Sequence, residues 1–135
     1  MTIRGVEVRT EALYHRYGNR KGFAFENVSM QAQPGEAVVI IGRSGCGKST
    51  LLQVGCGLLH GASGSVHING LPVTKPSPRW IQLFQAPHLY PWMKVSQNVG
   101  IGLDFAGRPK DEIRERVAKA LQLVDLEELA ESNVQ

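Results

Sequence analysis

The apolar positions of this chain follow three regimes in turn. Over about residues 3–41, Val6, Val8 and Thr10 alternate with polar neighbours, and Phe23, Phe25, Val28 and Met30 outline a second strand. A turn at Gly18-Asn19 separates the two, and Pro34-Gly35 marks another. Alternation then gives way to the unbroken run Ala37-Val38-Val39-Ile40-Ile41. A run with no polar face predicts a strand buried on both sides, as in a parallel sheet. Lys48 to about Gly57 reads as a helix directly after it.

In the second regime, about 61–85, Gly64-Ser65-Val66-His67-Ile68 alternates up to an Asn69-Gly70 turn, the signature of a hairpin. Trp80-Ile81-Gln82-Leu83-Phe84 reads as a further strand, and the proline-rich stretch Pro72 to Pro78 as the loop before it. The third regime, from about Val95, is helical. Pro109 suits the first turn of a helix, and Ile113, Val117, Ala120, Leu121 and Val124 repeat at helical spacing, with Glu112, Arg116 and Lys119 elsewhere on the cylinder. No internal repeat or low-complexity tract interrupts this order.

Composition narrows the class. The 135 residues, 42% hydrophobic and 20% charged, suit a globular chain able to bury a core. A formal charge of +3 is spread over single or paired basic residues, such as Arg20-Lys21, Arg108 with Lys110, and Arg114 with Arg116. No dense basic stripe forms, so no nucleic-acid partner is expected. There is no secretory leader pattern, and no run approaches the ~20 apolar residues that cross a bilayer. The two cysteines, Cys46 and Cys56, do not make a disulfide framework, and a reducing cytosol is expected.

The candidate chemistry centres on Gly42-Arg43-Ser44-Gly45-Cys46-Gly47-Lys48-Ser49-Thr50, which meets the pattern G-x-x-x-x-G-K-[ST]. Glycines let the backbone fold into a nest of N–H groups, and the helix that follows adds the positive end of its dipole. The Lys48 ammonium suits β- and γ-phosphates, and the Ser49 hydroxyl suits Mg²⁺. At ordinary residue frequencies the pattern arises by chance about once in 200 chains of this length. ATP and Mg²⁺ are the expected ligands, with Gly42, Ser44, Gly45, Cys46, Gly47, Lys48, Ser49 and Thr50 as binding residues. Asp104 to Gly107 matches the short D-x-x-G of GTPases, but no Asn-Lys-x-Asp accompanies it. His15, His60, His67 and His88 lack metal-ligand spacing and read as surface or turn residues.

Segments in order along the chain resemble the ATPase subunits of ABC transporters. Tyr14 to Gly18 resembles that family's adenine-stacking loop, with Tyr17 at the aromatic position. Phe25 to Ser29, Pro34-Gly35-Glu36, and the loop in its G-x-S-G-x-G-K-S-T-L-L form follow in place. So do Gly57-Leu58-Leu59, Gly64-Ser65-Val66 and Asn69-Gly70. Leu83-Phe84-Gln85 resembles the Q-loop. Pro91-Trp92-Met93-Lys94-Val95 with Asn98-Val99 looks like the form in nitrate, taurine and alkanesulfonate importers.

The resemblance implies an α/β P-loop NTPase fold of the ABC-ATPase type with an N-terminal antiparallel β subdomain. It implies a β subdomain and P-loop core over about 1–85, then the Q-loop and the start of a helical subdomain over about 85–135. It also implies adenine stacking on Tyr17 and a water or Mg²⁺ contact by Gln85. A homodimer of the full-length subunit and transmembrane permease subunits docked near 86–95 are the implied partners. The location would be cytoplasmic, on the inner face of the cell membrane.

Hydrolysis needs a carboxylate at the end of another core strand. No apolar run here ends in Asp-Glu, and the family's LSGGQ signature is absent. Asp125 follows Leu121-Gln122-Leu123-Val124, which fits a helix end. The expectation is therefore an importer ATPase subunit truncated before the signature motif, binding nucleotide without turnover. The alternative is a non-hydrolysing nucleotide-binding or interaction module.

Overall fold

The computed structural model describes residues 5–18, 22–61 and 63–135. Asn19 of the expected turn and the basic pair Arg20-Lys21 lie outside the described residues, whereas Gly18 is in a turn with φ +49°. The chain divides into two compact units, Met1–Leu83 and Phe84–Gln135.

The first unit is built on a four-stranded antiparallel sheet. Strand β1 (Val8–His15) lies between β2 (Phe25–Ala32) and β3 (Ser63–Ile68), and β4 (Leu71–Pro72) extends the β3 edge, giving the order β2-β1-β3-β4. The expected hairpin forms: Ile68 pairs with Leu71 across Asn69 and Gly70, both at positive φ (49° and 73°). Two positive φ values in a two-residue turn match the twist of the flanking strands, and Asn-Gly adopts them at least cost. Strand β1 is less regular. Its register with β2 shifts between Thr10 and Leu13, where Ala12 takes φ 43°. The buried Thr10 hydroxyl mends the gap, donating to the Val28 carbonyl (3.2 Å) and accepting from the Met30 N–H (3.0 Å).

Helix α1 (Lys48–Gly55) packs on this sheet through Leu51 and Val54, which meet Leu13 and Val66 in the core. The helix stops where Gly57 enters the left-handed region (φ 73°), with Leu58 N–H on Gln53 O (2.9 Å) and Gly57 N–H on Val54 O (3.0 Å). This is the Schellman pattern that glycine makes inexpensive.

Two strands expected from the apolar pattern do not form. Ala37–Ile41 and Trp80–Phe84 lie outside regular structure, with Ile41 90% and Leu83 91% exposed. The physical reason is pairing. A strand buried on both faces requires neighbours along its edges, and none of the four strands of the sheet lies beside either run. Ile40 alone of the first run packs against the core.

The second unit contains α2 (Val95–Phe105) and α3 (Lys110–Gln122), followed by a 3₁₀ turn, Glu127–Leu129. The helices cross tightly at Gly100, where an added Cβ would lie 3.1 Å from both Ile113 Cγ2 and Val117 Cγ2. Val117 and Leu121 are buried as expected, but Ala120 is exposed and Val124 lies beyond the helix, also exposed. Their spacing matched the helical period, yet the face that meets α2 is narrower than the periodicity implied. The segment after α3 returns to α2. Val95 N–H donates to Ser132 O (3.0 Å), Ser96 N–H to Ala130 O (2.9 Å), and Lys94 pairs with Asn133 in an isolated bridge.

Candidate nucleotide-binding site

Residues Gly42 to Gly47 form an irregular loop that runs straight into α1. Gly45 (φ 80°) and Gly47 (φ 93°) take left-handed conformations. Gly47 also has no room for a side chain, since a Cβ there would stand 2.3 Å from the Ala24 carbonyl oxygen. The loop is thus held against the lead-in to β2 by close backbone approach. Lys48 Nζ donates to the carbonyls of Gly42 and Arg43, both at 2.8 Å, and lies 3.7 Å from Cys46 Sγ.

The amides of Gly47, Lys48 and Ser49 have no hydrogen-bond partner among the described residues, and α1 has neither a side-chain cap nor an acid in its first turn. A helix start with free amides and no nearby acid presents partial positive charge. An anion with several oxygens, such as a polyphosphate, is the natural complement. Ser44 and Ser49 are exposed beside it. The donor set also suits Mg²⁺ bound with a phosphate, which takes a hydroxyl ligand and keeps several waters.

Tyr17 belongs to the same neighbourhood. Its hydroxyl lies 2.9 Å from Thr50 Oγ1, at the start of α1, and its ring stays partly exposed. The structure therefore brings Tyr17 to Thr50, the last residue of the segment singled out in the sequence. His15 is a correction: expected at the surface or in a turn, it is buried in β1. It stacks on Phe25 (centroids 6.0 Å) and meets Tyr17 edge-to-face (4.7 Å). The signal was present in the spacing, because residues two apart in an extended chain share a face. Among the described residues no cluster of His, Cys, Asp and Glu could hold a metal ion.

Gln85, near the start of the second unit, is an exposed residue in a bend. It was expected at the end of a strand, but Trp80–Phe84 is not one, for the pairing reason given above. The following loop exposes Leu89, Tyr90 and Trp92, with the last two rings edge-to-face at 5.5 Å. Asn98 holds this loop. Its Oδ1 accepts from Tyr90 N–H (2.8 Å), and its Nδ2 reaches the carbonyls of Tyr90 (3.2 Å), Met93 (3.2 Å) and Lys94 (3.1 Å).

Nearby, Lys94 Nζ donates to Glu131 at 2.6 Å. The Lys94 hydrogen bond, then its charge, hold the Glu131 carboxyl below the usual glutamate value. Of the two thiols, Cys46 is exposed in the loop, whereas Cys56 is partly buried and burial pushes its pKa up.

A G-x-x-x-x-G-K-[ST] loop entering a helix defines the P-loop class, and Tyr17 stands beside it just past the end of β1. Residues 25–135 match the model of the ABC transporter family. The chain belongs to the ABC transporter family. It is 42% identical over 113 residues to the taurine import ATP-binding protein TauB of Chromobacterium violaceum, covering 84% of this chain and 43% of that protein. It is 40% identical over 137 residues to the spermidine/putrescine import ATP-binding protein PotA of Legionella pneumophila, covering 99% and 36%. The chain thus spans less than half the length of either relative. Among solved structures, the dimeric bacterial ABC transporter cassette MJ0796 superposes with a TM-score of 0.76 at 28% identity, over 93% of this chain and 61% of that one. The cbiO1 protein of Clostridium perfringens, part of the cbiONQ transporter complex, gives 0.74 at 31% identity, over 93% and 53%.

Proposed function

We propose that this chain is part of the ATP-binding subunit of an ABC-type importer, in which binding and hydrolysis of Mg-ATP drive solute uptake. The observation that carries the reading is the loop itself: free amides at an uncapped helix start, an ammonium inside the turn, and an aromatic tethered to the same helix. In this reading the amides from Gly42 through Thr50 cradle the phosphates, and Lys48 exchanges its carbonyl partners for terminal phosphate oxygens. Ser49 and Gln85 hold Mg²⁺, and Tyr17 supports the adenine. The bound metal would draw charge from the terminal phosphates; the side chains bind and orient. Residues to about 85 form the nucleotide core, and those after it the start of the helical part. In this reading the chain by itself binds nucleotide without turnover, because among the described residues no strand ends in the carboxylate that hydrolysis requires.

Relatives of similar identity serve import of taurine, spermidine/putrescine and iron(III), so the reading stops at a solute of unspecified kind. Titration with a fluorescent ATP analogue tests the core claim. Lys48→Ala should weaken binding by at least ~1.5–3 kcal/mol, the scale of a lost charge-assisted hydrogen bond. Equal affinities, or a folded wild type that does not bind, would overturn it.

The exposed Leu89, Tyr90 and Trp92 then form the docking surface for transmembrane subunits at the inner face of the membrane, and the full-length subunit pairs with a second copy. Exposed aromatics on a loop pinned by Asn98 are suited to an interface anchor. Trp92→Ala in the complete transporter should reduce co-purification with the membrane subunits while ATP affinity stays within about twofold. Unchanged assembly and coupling would return Trp92 to the role of a loop residue.

A further inference from the structure

We infer that His15 is a positioning residue for the base of the nucleotide, acting through Tyr17; the inference rests on the nucleotide-site reading above. His15 is 7% exposed, and its Nδ1 lies 3.0 Å from the His60 carbonyl oxygen. A carbonyl only accepts, so Nδ1 carries the hydrogen and donates it. In the neutral ring Nε2 is then an acceptor, and it is buried without a partner. An orphaned acceptor costs desolvation energy that a phenylalanine in the same place would not incur. Packing alone therefore does not account for a histidine at this position.

The Nδ1–H bond supplies what phenylalanine lacks, a fixed ring plane. That plane stacks on Phe25 and meets the Tyr17 ring edge-to-face at 4.7 Å. Tyr17 is held at its other end, hydroxyl to Thr50 Oγ1 at 2.9 Å. The aromatic ring is thus fixed twice, once by the helix that follows the phosphate loop and once by the sheet. A stacking platform gains affinity when its tilt is set before the ligand arrives, because less ordering remains to be done on binding. The Thr50 bond sets the distance of the ring from the phosphates. The His15 contact sets its tilt.

The test compares ATP with inorganic triphosphate, which has the phosphates and no base, in the protein carrying His15→Asn, His15→Phe or Tyr17→Ala. Asparagine keeps a donor near the Nδ1 position and removes the ring; phenylalanine keeps the ring and removes the donor. His15→Asn should lose roughly five- to tenfold in ATP affinity, and triphosphate binding should hold within about twofold. His15→Phe, which keeps the ring surface but loses the bond that fixes its plane, should lose an intermediate amount, about threefold, and full wild-type affinity there would remove the Nδ1–H bond from the account. Wild-type ATP affinity in His15→Asn, with Tyr17→Ala impaired, overturns the inference alone. So does an equal loss for ATP and triphosphate, which marks a general structural defect. If Tyr17→Ala leaves ATP binding intact, the adenine platform falls and this inference with it. A wild type that binds neither ligand refutes the nucleotide site itself.

Discussion

The antiparallel sheet and the run Ala37–Ile41 make an instructive pair within one unit. The sheet strands are mixed in polarity, with many positions facing solvent, and yet they pair despite the register shifts of β1 and bury Leu13 to 1% exposure. The run is more apolar than any of them and forms no strand, with Val39 78% exposed. Side-chain hydrophobicity is therefore not what makes a strand here. Each strand of the sheet has an antiparallel neighbour, β4 through a two-residue hairpin and β1 through both β2 and the distant β3, so its backbone hydrogen bonds are satisfied. No strand of that sheet lies beside the run 37–41.

The strongest way to break this comparison is to truncate one residue of each kind. Leu13→Ala should cost ~2–5 kcal/mol in urea unfolding, the range for opening a cavity in a packed core. Ile41→Ser should stay within ~0.5 kcal/mol, as for an exposed site without special contacts. Comparable losses would mean that the run is buried in the folded protein.

A probe of intermediate size uses the two thiols. Cys46 in the irregular loop should react with maleimide at least ~10-fold faster than Cys56, whose burial raises its pKa and limits access. Mg-ATP should slow labelling at Cys46 only. Peptide mapping by mass spectrometry reads both, and faster modification of Cys56 would contradict the loop geometry.

The smallest effect concerns the Lys94–Asn133 bridge, a single backbone pairing, where Lys94 also binds Glu131. Because the folded carboxyl titrates below its ordinary value, its contribution is complete above the usual glutamate range. It is lost as pH falls through the lowered value. NMR titration should place the Glu131 midpoint below that of a free glutamate, and Lys94→Met should move it back. A midpoint unchanged by the substitution would remove the ion pair from the account.

What the sequence revealed follows the same division. The hairpin was legible because Asn69-Gly70 specifies its own turn geometry, and α1 because the loop, Leu51 and Val54 fix its start and buried face. The segments 37–41 and 80–84 were misread because an apolar run reports what a strand would bury, not whether a partner exists to pair with it. In the site, the loop residues were legible from spacing, since their chemistry is backbone chemistry that glycines declare. The burial of His15 was legible from its spacing to Leu13, but its contacts were not, because they depend on His60, 45 positions away, and on the tilt of Tyr17. Asn98 carries no signal of its own in the sequence. Its four contacts to the loop before α2 emerge from tertiary geometry that no local pattern encodes.

The bare run has a colloidal consequence. Val38-Val39-Ile40-Ile41 is β-branched throughout, uncharged and free of proline, which is the composition of segments that stack between molecules. With its backbone unpaired in the sheet, it can recruit the same stretch of another copy as readily as a strand of its own fold. Solutions of this chain should therefore scatter light increasingly with concentration, and a single charge, as in Ile41→Lys, should keep them clear.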